Sequence, residues 1–237
     1  MSNDVRPDAA ISRRHLLKMA SVAGAGALAG GGIPGTLHAE EASPLPADAT
    51  PDQALQTLMV GNQRFLGGKA TSPNRTLARL KEVGPKQTPF ASVLACADSR
   101  VPVELVFDQG IGDVFVCRNA GNIAESQTIG SLEYGTLVLG AKVLMVLGHT
   151  SCGAVTATVK GEAVPGQIGS LYPYIYPAVE QAGSKDLTAI ITQNVRHQVG
   201  ILRNASPVIK QLVADRKLRV VGAVLDFSTG RVNLLDA

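Results

Sequence analysis

The strongest constraint in this sequence is a series of apolar runs that alternate with helical patterns. The runs lack polar alternation, which is typical of strands buried on both faces, and they cover residues 90–96, 114–117, 142–148 and 218–226. Helical spacing of apolar residues covers 52–65, 123–139 and 186–214, with an interruption near Pro207, and a turn at 228–230 predicts a fifth strand. We therefore predict an α/β fold with a central, mostly parallel β-sheet of four to five strands flanked by helices.

Composition excludes several classes of function. The chain has 237 residues, of which 45% are hydrophobic, enough for a large buried core. Its 22 Lys and Arg residues against 19 Asp and Glu give a net charge of only +3, too little to hold nucleic acid or an anionic membrane. Three cysteines cannot form a disulfide framework, because an odd number leaves one unpaired. We therefore expect a soluble globular protein without a nucleic-acid partner.

The N-terminus has the features of an export signal. Residues 12–18 read S-R-R-H-L-L-K, and residues 19–33 carry no charge before a segment of small residues that ends at Ala39. A membrane-spanning helix needs about 20 apolar residues, and this shorter stretch is rich in glycine, so no stable membrane anchor is predicted. The paired arginines resemble a twin-arginine signal, with Leu16 where Phe is most frequent.

These features predict three parts of the chain. A twin-arginine signal peptide covers residues 1–39, an unstructured lead segment covers 40–51, and one catalytic domain covers 52–237. Twin-arginine signals direct the export of folded proteins, often with a metal already inserted. The predicted location is therefore the periplasm or another extracytoplasmic compartment.

Two motifs follow predicted strands, at the end where parallel sheets bind their ligands. They are C-A-D-S-R at 96–100 and H-T-S-C at 149–152. His149 and Cys152 are three residues apart, so one turn can direct both at one metal, and Cys96 completes a Cys2His set that suits zinc. Each motif alone has an ordinary interpretation, since a cysteine in an apolar strand is usually a small core residue. Their joint occurrence favours a metal site with an open fourth position, as in catalytic zinc.

Together the motifs resemble those of the β-class carbonic anhydrases, over the whole predicted catalytic domain. The resemblance implies one Zn²⁺ per chain, with Cys96, His149 and Cys152 as its ligands. It also implies a catalytic dyad of Asp98 and Arg100, and reversible hydration of CO2 to bicarbonate and a proton. The family further implies a homodimer or a dimer of dimers.

General chemistry is consistent with these roles. Zinc lowers the pKa of bound water and so supplies hydroxide. Asp98 would accept a hydrogen bond from the hydroxyl group and so orient a lone pair at the substrate, and Arg100 would hold Asp98 ionised. Two thiolates and a neutral imidazole cancel the charge of Zn²⁺, so bound water should be less acidic than at a zinc with three histidines. We therefore expect activity to rise toward alkaline pH.

The family resemblance also bears on the substrate pocket. Some members close the resting site with the Asp as a fourth ligand, and members inhibited by bicarbonate have a Trp three residues before the first cysteine ligand. This chain has Val93 there and no Trp, which favours an open site, with Asp98 as a fourth ligand only in a closed form. The implied pocket residues are Gln87, Phe115, Ala120, Tyr134 and Gly153. Core packing is the alternative role for Phe115 and Tyr134.

Other functions remain open at this point. The same zinc site could hydrolyse carbonyl sulfide or carbon disulfide, which are linear like CO2. The zinc could be structural in a non-catalytic module, or Cys96 and Cys152 could form a redox disulfide in an oxidising compartment. Cys117 is expected to be a buried free thiol, and His197 an ordinary helix residue, with proton shuttling as its alternative.

Overall fold

The computed structural model describes residues 45–46 and 48–236. The predicted signal peptide lies outside these residues. Within the predicted lead segment, Ala49 is buried and Leu45 packs against the core, so the last part of that segment is ordered. Among the described helices, none has the length and apolar character needed to cross a membrane.

A five-stranded sheet forms the centre of the molecule. Its strands are β1 (Ala91–Cys96), β2 (Val114–Asn119), β3 (Val143–His149), β4 (Arg219–Leu225) and β5 (Val232–Leu234). Their order is β2-β1-β3-β4-β5, with parallel neighbours except at β4 and β5, which are antiparallel. The predicted α/β fold with a mostly parallel sheet is confirmed.

Eight α-helices and two short helical turns surround the sheet in the described part of the chain. The helices are α1 (Pro51–Leu66), α2 (Leu77–Val83), α3 (Val103–Val106), α4 (Ser126–Glu133), α5 (Gly153–Lys160), α6 (Tyr172–Gln181), α7 (Leu187–Ala205) and α8 (Pro207–Ala214). A π-helical turn, Tyr134–Val138, continues α4, and a 3₁₀ turn, Ile168–Leu171, precedes α6. The predicted helix over 123–139 is thus α4 with its π turn, and the predicted interruption near Pro207 separates α7 from α8.

Local signals explain where the longer helices begin. Thr50 caps α1 in a capping box with Gln53, and Pro51 occupies the first helical position, where no amide donor is needed. Asp186 caps α7 by accepting a hydrogen bond from the Ala189 amide. These caps satisfy amides that have no partner within the helix.

The sheet is buried on both faces. Leu94 and Cys96 face a core built with α5 to α8, whereas Val93 and Ala95 face a core built with α1 and α3. This explains why every residue of β1 and β3 is buried and why the strands read as continuous apolar runs. The strand order reverses between β1 and β3, which is where open parallel sheets form a ligand crevice.

Candidate metal centre and active site

Three predicted ligands meet at the carboxyl edge of the sheet. Cys96 is the last residue of β1, His149 is the last residue of β3, and Cys152 caps the start of α5. One ligand atom from each lies within 4.8 Å of the others, and all three residues are buried. Ser151 has a positive φ of 57°, so the chain turns sharply between the histidine and the second cysteine. The structure therefore brings together the set that the sequence predicts.

The histidine is oriented as a metal ligand would be. Its Nδ1 lies 2.9 Å from the carbonyl oxygen of Thr150, which accepts a hydrogen bond from the Nδ1–H. Nε2 is buried and has no hydrogen-bond partner among the described residues, so its lone pair is available to a metal. Two sulfurs and one imidazole nitrogen are a donor set that zinc prefers. The residues present fit zinc.

The electrostatics of the cluster favour a thiolate at Cys96. The neighbouring Cys152 thiol and, to a smaller extent, the His149 imidazole outweigh burial and hold the pKa of the Cys96 thiol well below its usual range. The same contact, together with burial, raises the pKa of Cys152. Burial lowers the pKa of His149, but the neighbouring Cys96 outweighs this and raises it overall. Such a cluster of sulfur and nitrogen donors is completed by a cation.

The loop after β2 also approaches the cluster. The amide of Gly121 lies 3.4 Å from the sulfur of Cys96 and donates to it. Gly121 has a φ of 83°, and a Cβ at this position would lie 2.7 Å from Ile175. This backbone conformation favours glycine, because a residue with a Cβ would be strained there.

The carboxylate and guanidinium of the first motif form a two-point ion pair beside the cluster. Arg100 donates from Nε to Oδ1 of Asp98 at 2.9 Å and from Nη2 to Oδ2 at 2.8 Å. Oδ2 of Asp98 lies 3.8 Å from Nε2 of His149, the atom available to a metal. The guanidinium holds the pKa of Asp98 well below its usual range, so this carboxylate is ionised at neutral pH.

Arg118 of β2 donates hydrogen bonds to the backbone of the same motif. Its Nε donates to the carbonyl oxygen of Cys96 at 2.9 Å, and its Nη2 donates to that of Asp98 at 2.5 Å. These two hydrogen bonds join β2 to the first motif. They fix the path of the chain from the first ligand to the dyad.

The predicted pocket residues lie in two places. Ala120 precedes Gly121 in the loop beside Cys96, and Gly153 follows Cys152, so these two lie near the metal centre. A Cβ at Gly153 would meet no atom within 4 Å, so this position faces open space.

Gln87, Phe115 and Tyr134 lie elsewhere in the chain. Phe115 pairs with Ser92, four residues before Cys96, which is roughly 13 Å along the strand. The rings of Phe115 and Tyr134 are 6.3 Å apart, and Gln87 and Tyr134 line a common cavity of about 600 Å³. The single chain therefore does not bring these three side chains to its metal centre.

Three further residues are placed as follows. Val93 is fully buried in β1 and faces away from Cys96. Cys117 is a half-buried free thiol outside the ligand cluster, and burial raises its pKa. His197 lies on α7, where burial lowers its pKa, at a cavity whose lining includes none of the candidate ligands. Cys96 and Cys152 are also free cysteines.

A buried pair of amides, which the sequence interpretation missed, supports the loop beside the metal centre. Asn194 and Gln198 are one turn apart on α7, and both are almost completely buried. Asn194 donates to the carbonyl oxygen of Gly121 at 3.0 Å, and Gln198 accepts from the amide of Ala124 at 2.9 Å. The signal for this pair was present, because two amides four residues apart interrupt the apolar face of an amphipathic helix.

Phe227 was also missed. It follows β4, and its ring stacks on the imidazole of His149 with centroids 4.8 Å apart and an interplanar angle of 27°. The guanidinium carbon of Arg100 lies 4.4 Å from the centre of the same ring. The available signal was an aromatic residue just after a strand, at the sheet edge that carries the motifs.

This buried Cys2His cluster with an adjacent carboxylate and guanidinium defines a class of α/β proteins with a candidate catalytic zinc site. A family model described as carbonic anhydrase matches residues 91–232. Carbonic anhydrases of Mycolicibacterium smegmatis and Mycobacterium tuberculosis are similar to this chain. The first is 35% identical over 79% of this chain and 94% of its own length, and the second is 34% identical over 80% and 95%.

Solved structures agree with the sequence comparisons. A tetrameric β-carbonic anhydrase from Sordaria macrospora is 25% identical and superimposes with a TM-score of 0.63, over 78% of this chain and 98% of its own. The chain therefore belongs to the β-class carbonic anhydrase family. Its activity is carbonic anhydrase activity, the reversible hydration of CO2 to bicarbonate and a proton.

The metal centre leads to a direct prediction about zinc content. We expect the purified protein to retain about one zinc per chain, and Cys152→Ser to weaken retention against a chelator by more than roughly tenfold, because a hydroxyl is a much poorer zinc ligand than a thiolate. Cys117→Ser is the matched control, since Cys117 lies outside the cluster. Elemental analysis after dialysis against the chelator measures both variants, and equal zinc in the two would contradict the assignment.

Proposed function

We propose that this chain hydrates CO2 at a zinc ion held by Cys96, His149 and Cys152, with Asp98 and Arg100 completing the site. The observation that carries the proposal is the buried cluster itself, with its available Nε2 atom and an ion pair 3.8 Å away. The family comparisons support CO2 and bicarbonate as substrates over carbonyl sulfide or carbon disulfide, because the relatives described above are carbonic anhydrases.

Each residue has a defined task in this reaction. When bound, zinc lowers the pKa of water and so supplies the nucleophile for CO2 near neutral pH. Asp98 is ionised and lies on the metal side of His149, so its Oδ2 can accept a hydrogen bond from that water and orient a lone pair toward CO2. Arg100 keeps the carboxylate ionised and fixed in direction by binding both of its oxygens.

The same ion pair supports an open resting site. Both oxygens of Asp98 accept hydrogen bonds from Arg100, and Oδ1 also accepts from the Arg100 amide at 2.9 Å. To bind the metal as a fourth ligand, Asp98 would have to give up part of this pairing. We therefore propose that the fourth position is open to water. Val93 in place of Trp is consistent with this proposal.

A second copy of the chain would complete the substrate pocket. Gln87, Phe115 and Tyr134 are remote from the metal centre of their own protomer. The π turn beside them exposes apolar side chains, with Leu137 56% and Val138 63% exposed, as expected of a surface that another chain covers. We propose a homodimer, alone or paired into a dimer of dimers, in which these residues face the partner's metal centre. The similar Sordaria macrospora enzyme is described as tetrameric.

Export through the twin-arginine route would suit this metal centre. Thiolate ligands are easily oxidised outside the cytosol, and zinc must find them reduced. A signal that carries folded protein lets Cys96 and Cys152 bind zinc before export. We therefore propose that residues 1–39 direct the enzyme to the periplasm or an equivalent compartment, and that the motif at 12–18 is the signal.

The ion pair gives a kinetic prediction. Arg100→Leu should lower kcat/KM for CO2 hydration by about 10- to 100-fold, because Asp98 loses the partner that keeps it ionised and aimed. In the wild type the rate should rise toward alkaline pH, with no acid limb from Asp98, since its pKa lies below the assayed range. Stopped-flow hydration between pH 6 and 9, set roughly around the zinc–water ionisation, measures both effects.

Arg219→Leu is the matched control for this experiment. Arg219 also pairs with an aspartate, Asp52, but 49% of its side chain is exposed and the pair lies away from the metal centre. Its removal should leave the kinetics unchanged. An Arg100→Leu enzyme as active as the Arg219→Leu enzyme would show that the dyad does not contribute to the rate.

The second-copy proposal predicts a linked loss of assembly and activity. Replacing Leu137 and Val138 together with Glu should produce monomers, because two buried charges without partners oppose association. The monomers should retain zinc but hydrate CO2 at least roughly tenfold more slowly, since the pocket residues come from the partner. Light scattering and stopped-flow kinetics test this, with Val159→Glu as a control on α5. A fully active monomer would disprove the shared pocket.

The export proposal has a cellular test. Replacing Arg13 and Arg14 with Lys should keep active, zinc-loaded enzyme in the cytosol, because a twin-arginine signal depends on that pair. Cell fractionation followed by CO2 hydration assays locates the enzyme. Equal export of the two forms would mean that another route carries it.

A further inference from the structure

One aromatic ring touches both halves of the active site, although it belongs to neither motif. The ring of Phe227 stacks on the imidazole of His149, and the guanidinium of Arg100 lies over that ring. Among the described residues outside the two motifs, Phe227 is the side chain for which the structure records contacts with a predicted zinc ligand and with Arg100 at once. Phe227 follows β4, so a third strand end contributes to the site.

The backbone holds Phe227 in this place. Its amide donates to Oγ1 of Thr150 at 3.0 Å, and the amide of Thr150 donates to the carbonyl oxygen of Leu225 at 3.0 Å. These two hydrogen bonds join the end of β4 to the turn that follows His149. Asp226 then closes the following turn, accepting from the amide and hydroxyl of Ser228 at 2.9 Å and 2.8 Å. Hydrogen bonds before and after Phe227 in the chain therefore hold the backbone that carries the ring.

Arg100 needs such a restraint more than the other site residues do. Its side chain is 56% exposed, whereas that of Asp98 is 18% exposed and that of His149 is fully buried. An exposed ion pair loses much of its strength to water and to the entropy of a long side chain. A planar guanidinium over an aromatic face has fewer orientations, because attraction to the ring confines it to one plane.

The imidazole is restrained by the same ring. The Nδ1–H of His149 donates to the carbonyl oxygen of Thr150, which fixes one point of the ring. Stacking against Phe227 limits rotation of the imidazole about that hydrogen bond. Nε2 therefore remains directed at the two cysteines. Phe227 therefore sets the relative position of a metal ligand and of the guanidinium that holds Asp98.

We propose that Phe227 is a positioning residue for CO2 hydration, holding the Arg100 guanidinium and the His149 imidazole in one fixed arrangement. It acts through these two side chains and does not contact substrate. This inference rests on the proposed roles of the zinc centre and the dyad. It assigns a function to Phe227, which neither motif contains.

The test combines kinetics with chemical labelling of arginine. Phe227→Leu keeps an apolar side chain but removes the aromatic face, and should lower kcat/KM by roughly two- to fivefold, the size expected for one lost cation–π contact. In the same variant, an arginine-specific dicarbonyl reagent should modify Arg100 roughly two- to fivefold faster, as quantified by peptide mass spectrometry. Arg219 supplies an internal reference, since it is exposed and lies elsewhere.

Two further variants separate positioning from general stability. Phe227→Tyr keeps the ring and should restore both the rate and the slow labelling of Arg100. Phe90→Leu removes a half-buried aromatic at the opposite end of β1, and should change neither quantity. If Phe227→Leu does not fold, Phe227→Met takes its place, because methionine fills a similar volume without an aromatic face.

The outcomes distinguish this inference from the function on which it rests. Unchanged kinetics and labelling in Phe227→Leu would overturn it, as would slower hydration with unchanged labelling, because Arg100 would then not be the group restrained. Faster labelling of Arg100 in a protein whose wild type hydrates no CO2 would leave the contact valid but refute the proposed function. Rescue of both readouts by Phe227→Tyr is the expected result.

Discussion

The parallel pairing of β1 with β3 is the interaction on which the rest of the site depends. Ala95 lies opposite Leu147, so the next residue of β1, Cys96, and the last residue of β3, His149, reach the same edge of the sheet. A shift of one residue in β1 would turn Cys96 toward the core built by α1 and α3, because successive side chains point to opposite faces. The two strands thus position Cys96 and His149. The start of α5 adds Cys152, and the loop after β2 adds the amide of Gly121.

Burying this cluster requires polar partners that the strands themselves cannot provide. The carbonyl oxygen of Thr150 orients His149, and the amide of Gly121 donates to Cys96. Gly121 is in turn held by Asn194, whose buried amide would be costly without a partner. The long helix α7 therefore packs against the sheet and also forms hydrogen bonds to the loop after β2, which contacts Cys96. Rigidity of the ligands thus depends on residues far from them in the sequence.

The sequence predicted those parts of the structure that leave a periodic or continuous apolar pattern, and those that carry a specific motif. Four strands are continuous apolar runs, and the interruption of the long helix follows from Pro207. The helices α2, α3, α5 and α6 were not predicted. Of these, α2 and α3 have fewer than two turns, which do not establish a periodicity. The distance of Phe115 from Cys96 depends on the register of β2, and the contacts of Phe227 depend on where β4 ends. No local sequence pattern gives this distance or these contacts, so both are known only from the structure.

The state of the metal centre follows from competition for the carboxylate of Asp98. A metal and a guanidinium both attract it, and its two oxygens are already bound by Arg100. Under the proposed function, a contact that confines Arg100 would favour an open fourth position, and a contact that releases it would allow Asp98 to approach the metal. The Arg100 contact proposed for Phe227 would act in the same direction, from a segment that supplies none of the three candidate ligands. We infer that the balance between open and closed sites is adjusted by the packing around Arg100, so two chains with the same ligands and the same dyad can rest in different states.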